Sequence, residues 1–136
     1  LRKQLSRGAV ADLKSIRKEL MEKAERVAGT AIIVGQLPEV PIEQIREAAD
    51  WFRTEAGSAA ICLATTMDGK PLLIAAVTED VIKKGIKAGD LIRDIAPAID
   101  GRGGGKPDLA QAGGKNADGL PKAIEAAGEW IKQRLS

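Results

Sequence analysis

The chain has 136 residues, enough for one domain with a real core, and its 44% apolar and 29% charged residues are those of an ordinary globular protein. It has no histidine and one cysteine, Cys62, which removes the commonest general base and leaves no ligand set for a zinc or iron–sulfur centre. Net charge is +2 but uneven: residues 1–27 carry +4 and the remainder −2, so a polyanion contact in the body must be local.

The first segment, to about Val27, consists of helix formers without proline. Leu5, Ala9, Leu13, Ile16, Leu20, Ala24 and Val27 draw one apolar seam, as in a coiled coil or a long packed helix, weakened early by Gly8. The chain opens inside this helix, as a piece of a longer polypeptide would. Gly29 ends it, and TAIIVGQL (30–37) predicts a buried strand. Pro38 and Pro41 bracket a connection, after which Ile42, Ile45, Ala49, Phe52 and Ala56 give a helix its inward face and Gly57 closes it. Two apolar runs, 59–66 and 71–78, flank MDGK (67–70); Asp-Gly between such runs signals a hairpin. Thr78 caps a short helix with Glu79 and Asp80 in its first turn, and Gly85 stops it. A further helix over 89–100 turns Leu91, Ile92, Ile95 and Ile99 inward, with Pro97 kinking its last turn. The final helix starts near Asp118 and buries Leu120, Ile124, Ala127, Ile131 and Leu135.

These elements predict an α/β fold with a small mixed sheet of three to five strands flanked by helices, preceded by a long N-terminal helix. Residues 1–28 form the helical, coiled-coil-like segment and 29–136 the globular domain. Trp51, Phe52 and Trp130 are the only aromatics, so the core is built from aliphatic side chains and few rings are free to stack on a base. No apolar run approaches the ~20 residues of a membrane span and no signal peptide opens the chain. The expectation is a cytoplasmic protein with Cys62 as a buried, inert thiol.

The stretch GRGGGKPDLAQAGG, 101–114, is the departure from this plain composition. Gly101 suits the left-handed residue after a helix, and Gly113 and Gly114 suit a turn after the short strand DLAQA. Gly103, Gly104 and Gly105 in succession, between Arg102 and Lys106, are not explained that way. Successive glycines can turn their N–H groups into a concave anion-binding nest, with Arg102 gripping a phosphate and Lys106 adding a point charge. Asp108 would tether the loop. Composition alone leaves ligand contact and tight turn both open. The Gly-Lys-Ser/Thr ending of a Walker loop is missing.

Taken with AGDLIRDIAPAID before it and a helix after it, this string resembles the C-terminal, or C-Ala, domain of alanyl-tRNA synthetases, in the DHH-associated domain family shared with certain phosphoesterases. The resemblance spans essentially the whole chain. Asp100 stands where the motif more often begins with a glycine pair, Ala112 where another glycine is usual, and Lys106 where phosphoesterase relatives place a histidine. It implies a module that binds alanine-accepting tRNA at the outer corner of the L and couples aminoacylation with editing. Such a module has no catalytic residue, metal or cofactor of its own. ATP, Mg2+ and Zn2+ would serve other domains of the parent ligase, which are its further partners. Arg102, Gly103, Gly104, Gly105, Lys106, Lys115 and Asn116 are the implied RNA-binding residues. Lys83, Lys84 and Lys87 form a second basic cluster, which a solvated face also explains. The alternative is an assembly module, a homodimer joined through the seam of residues 5–27. A substrate-clamping lobe of a phosphoesterase ranks last.

Overall fold

The computed structural model describes residues 15–37 and 39–135. They form a mixed six-stranded sheet with helices on both faces, one strand more than the upper end of the expected range. Helix α1 covers 15–23 and is followed by β1 (Glu25–Val27) and β2 (Thr30–Gln36). Then come α2 (Ile42–Ala56), β3 (Ala59–Met67), β4 (Lys70–Val77), α3 (Glu79–Lys83) and α4 (Ala88–Ile95). A 3₁₀ turn (Ala96–Ile99) leads to β5 (Arg102–Gly105) and β6 (Leu109–Gly113). Another 3₁₀ turn (Ala117–Gly119) leads to α5 (Leu120–Leu135).

Strand order is β1-β2-β3-β4-β6-β5. Only β2 and β3 run parallel, as they must when α2 crosses between them; every other pair is antiparallel. The β3–β4 hairpin turns on Asp68 and Gly69, both at positive φ (53° and 79°), the tight turn that Asp-Gly favours.

Side chains alternate between two cores. On one face Ala31, Ile33, Ile61, Leu63, Ile74 and Ala76 meet Ile45, Ala48, Ala49 and Phe52 of α2, with Ile16 and Leu20 of α1 at the margin. On the other, Ile32, Ala60, Cys62, Leu73 and Ala75 meet Leu91, Ile92 and Ile95 of α4 and Leu120, Ala123, Ala127 and Ile131 of α5. Pro97 sits where α4 tightens into its 3₁₀ turn, as expected.

Three expectations are corrected. The first helix ends at 23, not at Val27: residues 25–27 pair with β2, and Ala28 and Gly29 (φ 53° and 82°) form the hairpin turn between them. Inter-strand hydrogen bonds outweigh a modest helix preference there. Of the predicted seam, Leu5, Ala9 and Leu13, like Gly8 and Pro38, lie outside the described residues. The left-handed residue after the 89–100 helix is Asp100 (φ 52°), not Gly101. Thr78 starts α3 without a side-chain cap: its hydroxyl bonds the Asp80 carboxylate and lies within reach of the Ala59 N–H and carbonyl oxygen.

Candidate nucleic-acid interface

The glycine run is extended. Arg102–Gly105 pairs antiparallel with β6 in the register Arg102↔Gly113, Gly103↔Ala112, Gly104↔Gln111 and Gly105↔Ala110. Successive N–H groups of a strand point to opposite sides, so the run builds no concave nest; it is an edge strand with half its polar groups turned outward. Residues 102–108 are all exposed. Close approach explains Gly103: a Cβ there would lie about 2.5 Å from the Ala112 Cα and closer still to the Gln111 carbonyl oxygen. Gly104 is different. A Cβ on it would meet nothing within 4 Å, so no neighbour in the fold demands a glycine.

Local hydrogen bonds fix the two ends of β5. Behind it, the Ile99 carbonyl accepts from the N–H groups of Lys115 (2.9 Å) and Asn116 (3.0 Å), clamping the return of β6 against the end of α4. At the far end, the N–H of Lys106 donates to Leu109 (3.0 Å) and that of Ala88 to Pro107 (2.7 Å), seating the turn on the start of α4. Asp108 does tether this turn, though not by accepting backbone amides on its side chain. Its carbonyl accepts from Val77 N–H (3.0 Å) and Arg53 (3.5 Å), and its carboxylate lies 4.0 Å from the same guanidinium.

Between the β3–β4 turn and the start of β5 lies an open groove of about 790 Å³, lined by Lys70, Leu72, Asp100, Arg102, Gly113 and Lys115 among others. Arg102 and Lys115, thirteen positions apart in sequence, are thereby brought together. Lys70 joins them, a residue not singled out from the sequence, because Leu72 is in register with Gly113 and so brings the start of β4 to the groove. None of the three has an ion pair or side-chain hydrogen bond among the described residues. Lys106 stands at the other end of β5, away from this groove. Asn116 is half-buried with its backbone committed to Ile99.

The second basic cluster divides. Lys84 reaches the Ala28 carbonyl (3.3 Å) and Thr30 hydroxyl (3.4 Å), pinning the β1–β2 turn, whereas Lys87 lies beside the Lys106–Pro107 turn through its neighbour Ala88. The tryptophans have partners: Arg17 lies 4.9 Å from the Trp51 ring centroid, and Arg134 covers Trp130 at 3.7 Å while the indole N–H donates to Asp94. Cys62 is fully buried, and burial pushes its thiol up to about 12, which makes it inert. Among the described residues no group of three acidic, histidine or cysteine side chains is placed to hold a metal. No helix there is long and apolar enough to cross a membrane.

The model of the DHHA1 domain family matches residues 29–133. This chain is a DHHA1 domain. It is similar to the alanine–tRNA ligases of Lactiplantibacillus plantarum (44% identity over 115 residues) and Ligilactobacillus salivarius (42% over 116), in each case over 85% of this chain and 13% of the relative. The domain thus spans about an eighth of the length of those relatives. Among solved structures it resembles the C-Ala domain of Aquifex aeolicus alanyl-tRNA synthetase, with TM-score 0.72, 30% identity, and coverage of 81% of this chain and 98% of that one. The Mg2+ complex of RecJ from Thermus thermophilus shares the fold, with TM-score 0.60 and 15% identity over 88% of this chain and 17% of that one. The DHHA1 domain described here is of the C-Ala type.

Proposed function

We propose that this DHHA1 domain is the tRNA-binding C-terminal module of an alanyl-tRNA synthetase. It grips the outer corner of alanine-accepting tRNA so that aminoacylation and editing act on one bound molecule. The remaining domains of that ligase are its partners and carry the ATP, Mg2+ and Zn2+ chemistry. The module needs no cofactor and works in the cytoplasm. One observation carries the reading: Lys70, Arg102 and Lys115, all without ion pairs among the described residues, line one open groove beside a glycine strand whose backbone is exposed. Cations without carboxylate partners in a body of net negative charge are placed for a polyanion rather than for the fold. With both indoles engaged by arginines, recognition rests on phosphates and shape rather than stacked bases. Gly103–Gly105 continue from this groove along β5, Lys106 lies at the strand's far end, and Asn116 follows Lys115 in the chain.

Filter binding of tRNA across a salt series tests this. Affinity should fall steeply with salt, and Arg102→Ala with Lys115→Ala should weaken binding at least about tenfold while the unfolding midpoint stays put. Unchanged affinity in the double variant would remove the groove from the interface.

A further inference from the structure

Among the described residues, strand β5 occupies one outer edge of the sheet, with β6 as its only strand neighbour. Its two ends carry separate groups of cations. At the start, Arg102 lines the groove with Lys70 and Lys115. At the end, Lys106 lies beside Lys87, because the Ala88 N–H donates to the Pro107 carbonyl at 2.7 Å. All five side chains are exposed, and none has an ion pair or side-chain hydrogen bond among the described residues. Elsewhere Lys23, Arg53, Arg93, Lys132 and Arg134 are each paired with a carboxylate, while Lys83 and Lys122 have no such pair among the described residues. Between the two groups β5 itself offers only the side-chain-free backbone of Gly103–Gly105, with Gln111 of β6, bonded by Arg46 at 3.0 Å, in register with Gly104. From Arg102 to Lys106 is about 13 Å at roughly 3.3 Å per residue of strand.

We infer that one RNA strand lies lengthwise along the outer edge of β5, its phosphates held at two stations. Lys70, Arg102 and Lys115 form the first, Lys87 and Lys106 the second, and the bare backbone at Gly104 lies against the sugars between them. This rests on the RNA-binding reading above and adds to it a direction, a length and two residues, Lys70 and Lys87. The space around a Gly104 Cβ then has an explanation: a side chain there would rise between Arg102 and Lys106, on the strand face that all three positions share, and push the RNA away from both. The carboxylates at the two ends do not close the path. Asp108 is engaged by Arg53, and Asp100 is the one acidic residue lining the groove. A polypeptide adding to the same edge is disfavoured, since such addition draws specificity from side-chain pockets that a glycine strand does not offer.

The test uses the intact chain and fluorescently labelled tRNA, read by anisotropy over a salt series. Lys70→Ala and Lys87→Ala should each weaken binding about three- to tenfold and reduce the salt slope by about 1. Gly104→Val should weaken binding with no loss of thermal midpoint. Lys23→Ala, at the opposite edge of the sheet, should leave both affinity and slope unchanged. If Arg102→Ala weakens binding but Lys87→Ala and Gly104→Val do not, the strand is held at the groove alone and the two-station arrangement is wrong. If the unaltered chain binds no tRNA even at low salt, the RNA-binding reading itself falls, and this inference with it.

Discussion

Gly103 and Gly104 are adjacent and both exposed, yet their surroundings give them opposite sensitivities to alanine. At Gly103 the new methyl would lie about 2.5 Å from the Ala112 Cα and nearer to the Gln111 carbonyl oxygen. These are mostly backbone atoms of β6, so relief requires moving the strand pair apart. Overpacking of this kind costs about 1–3 kcal/mol. At Gly104 the methyl enters open space, and the φ angle lies outside the left-handed region. The main effect of Ala there is a less flexible unfolded chain, which stabilises by about 0.4–1 kcal/mol. Urea unfolding of the two variants should therefore separate them by roughly 1.5–4 kcal/mol, the difference of those two ranges. In a thermal scan Gly103→Ala should melt several degrees lower than the unaltered chain. Equal destabilisation of both, or a larger loss at Gly104, would refute the strand register on which the assignment rests.

Two further expectations concern groups away from the glycine strand. Cys62, with its thiol pushed up to about 12, should resist an aromatic disulfide reagent at pH 8 until the domain unfolds, so labelling should track global opening; labelling of the native chain within seconds would contradict the packing around β3. Asp80 has its carboxyl held below the usual range by the Ser58 hydroxyl (2.5 Å) and then by that of Thr78 (2.6 Å). A depressed native pKa means the unfolded chain binds the proton first as pH falls, so this stabilisation is complete above about pH 4 and is lost below it. Asp80→Asn should flatten the acid limb of a stability–pH curve, and an unchanged limb would show that the three side chains do not act together.

How much of this was legible in the sequence differs element by element. Ile42, Ile45, Ala49 and Phe52, and later Leu91, Ile92, Ile95 and Ile99, betray their helices because a helix face is written in local spacing. Asp68-Gly69 betrays its hairpin because two positive φ angles need those residues. β1 was hidden: Glu25, Arg26 and Val27 continue a helical seam locally, and what makes them a strand is the free edge of β2. β5 was hidden for the opposite reason, since glycine has little intrinsic preference for a strand and takes that form here because β6 lies alongside. The site follows the same division. Arg102 and Lys115 could be picked out beside the unusual glycines. Lys70 enters only through the β4–β6 register; Lys87 was visible in the 83–87 basic cluster, but its place beside the end of β5 comes from one backbone hydrogen bond, and neither placement has a local signature.

The short hairpin of β1 and β2 has a mechanical consequence. A single residue, Ala24, separates α1 from β1, and Lys132 of α5 holds Glu25 in place. The helix is thus welded to one margin of the sheet with no slack at the joint. The opposite margin is β5, five strand spacings away, about 24 Å at roughly 4.8 Å each. A load carried by α1 therefore enters the sheet at the margin farthest from β5 and must cross its full width to reach that strand.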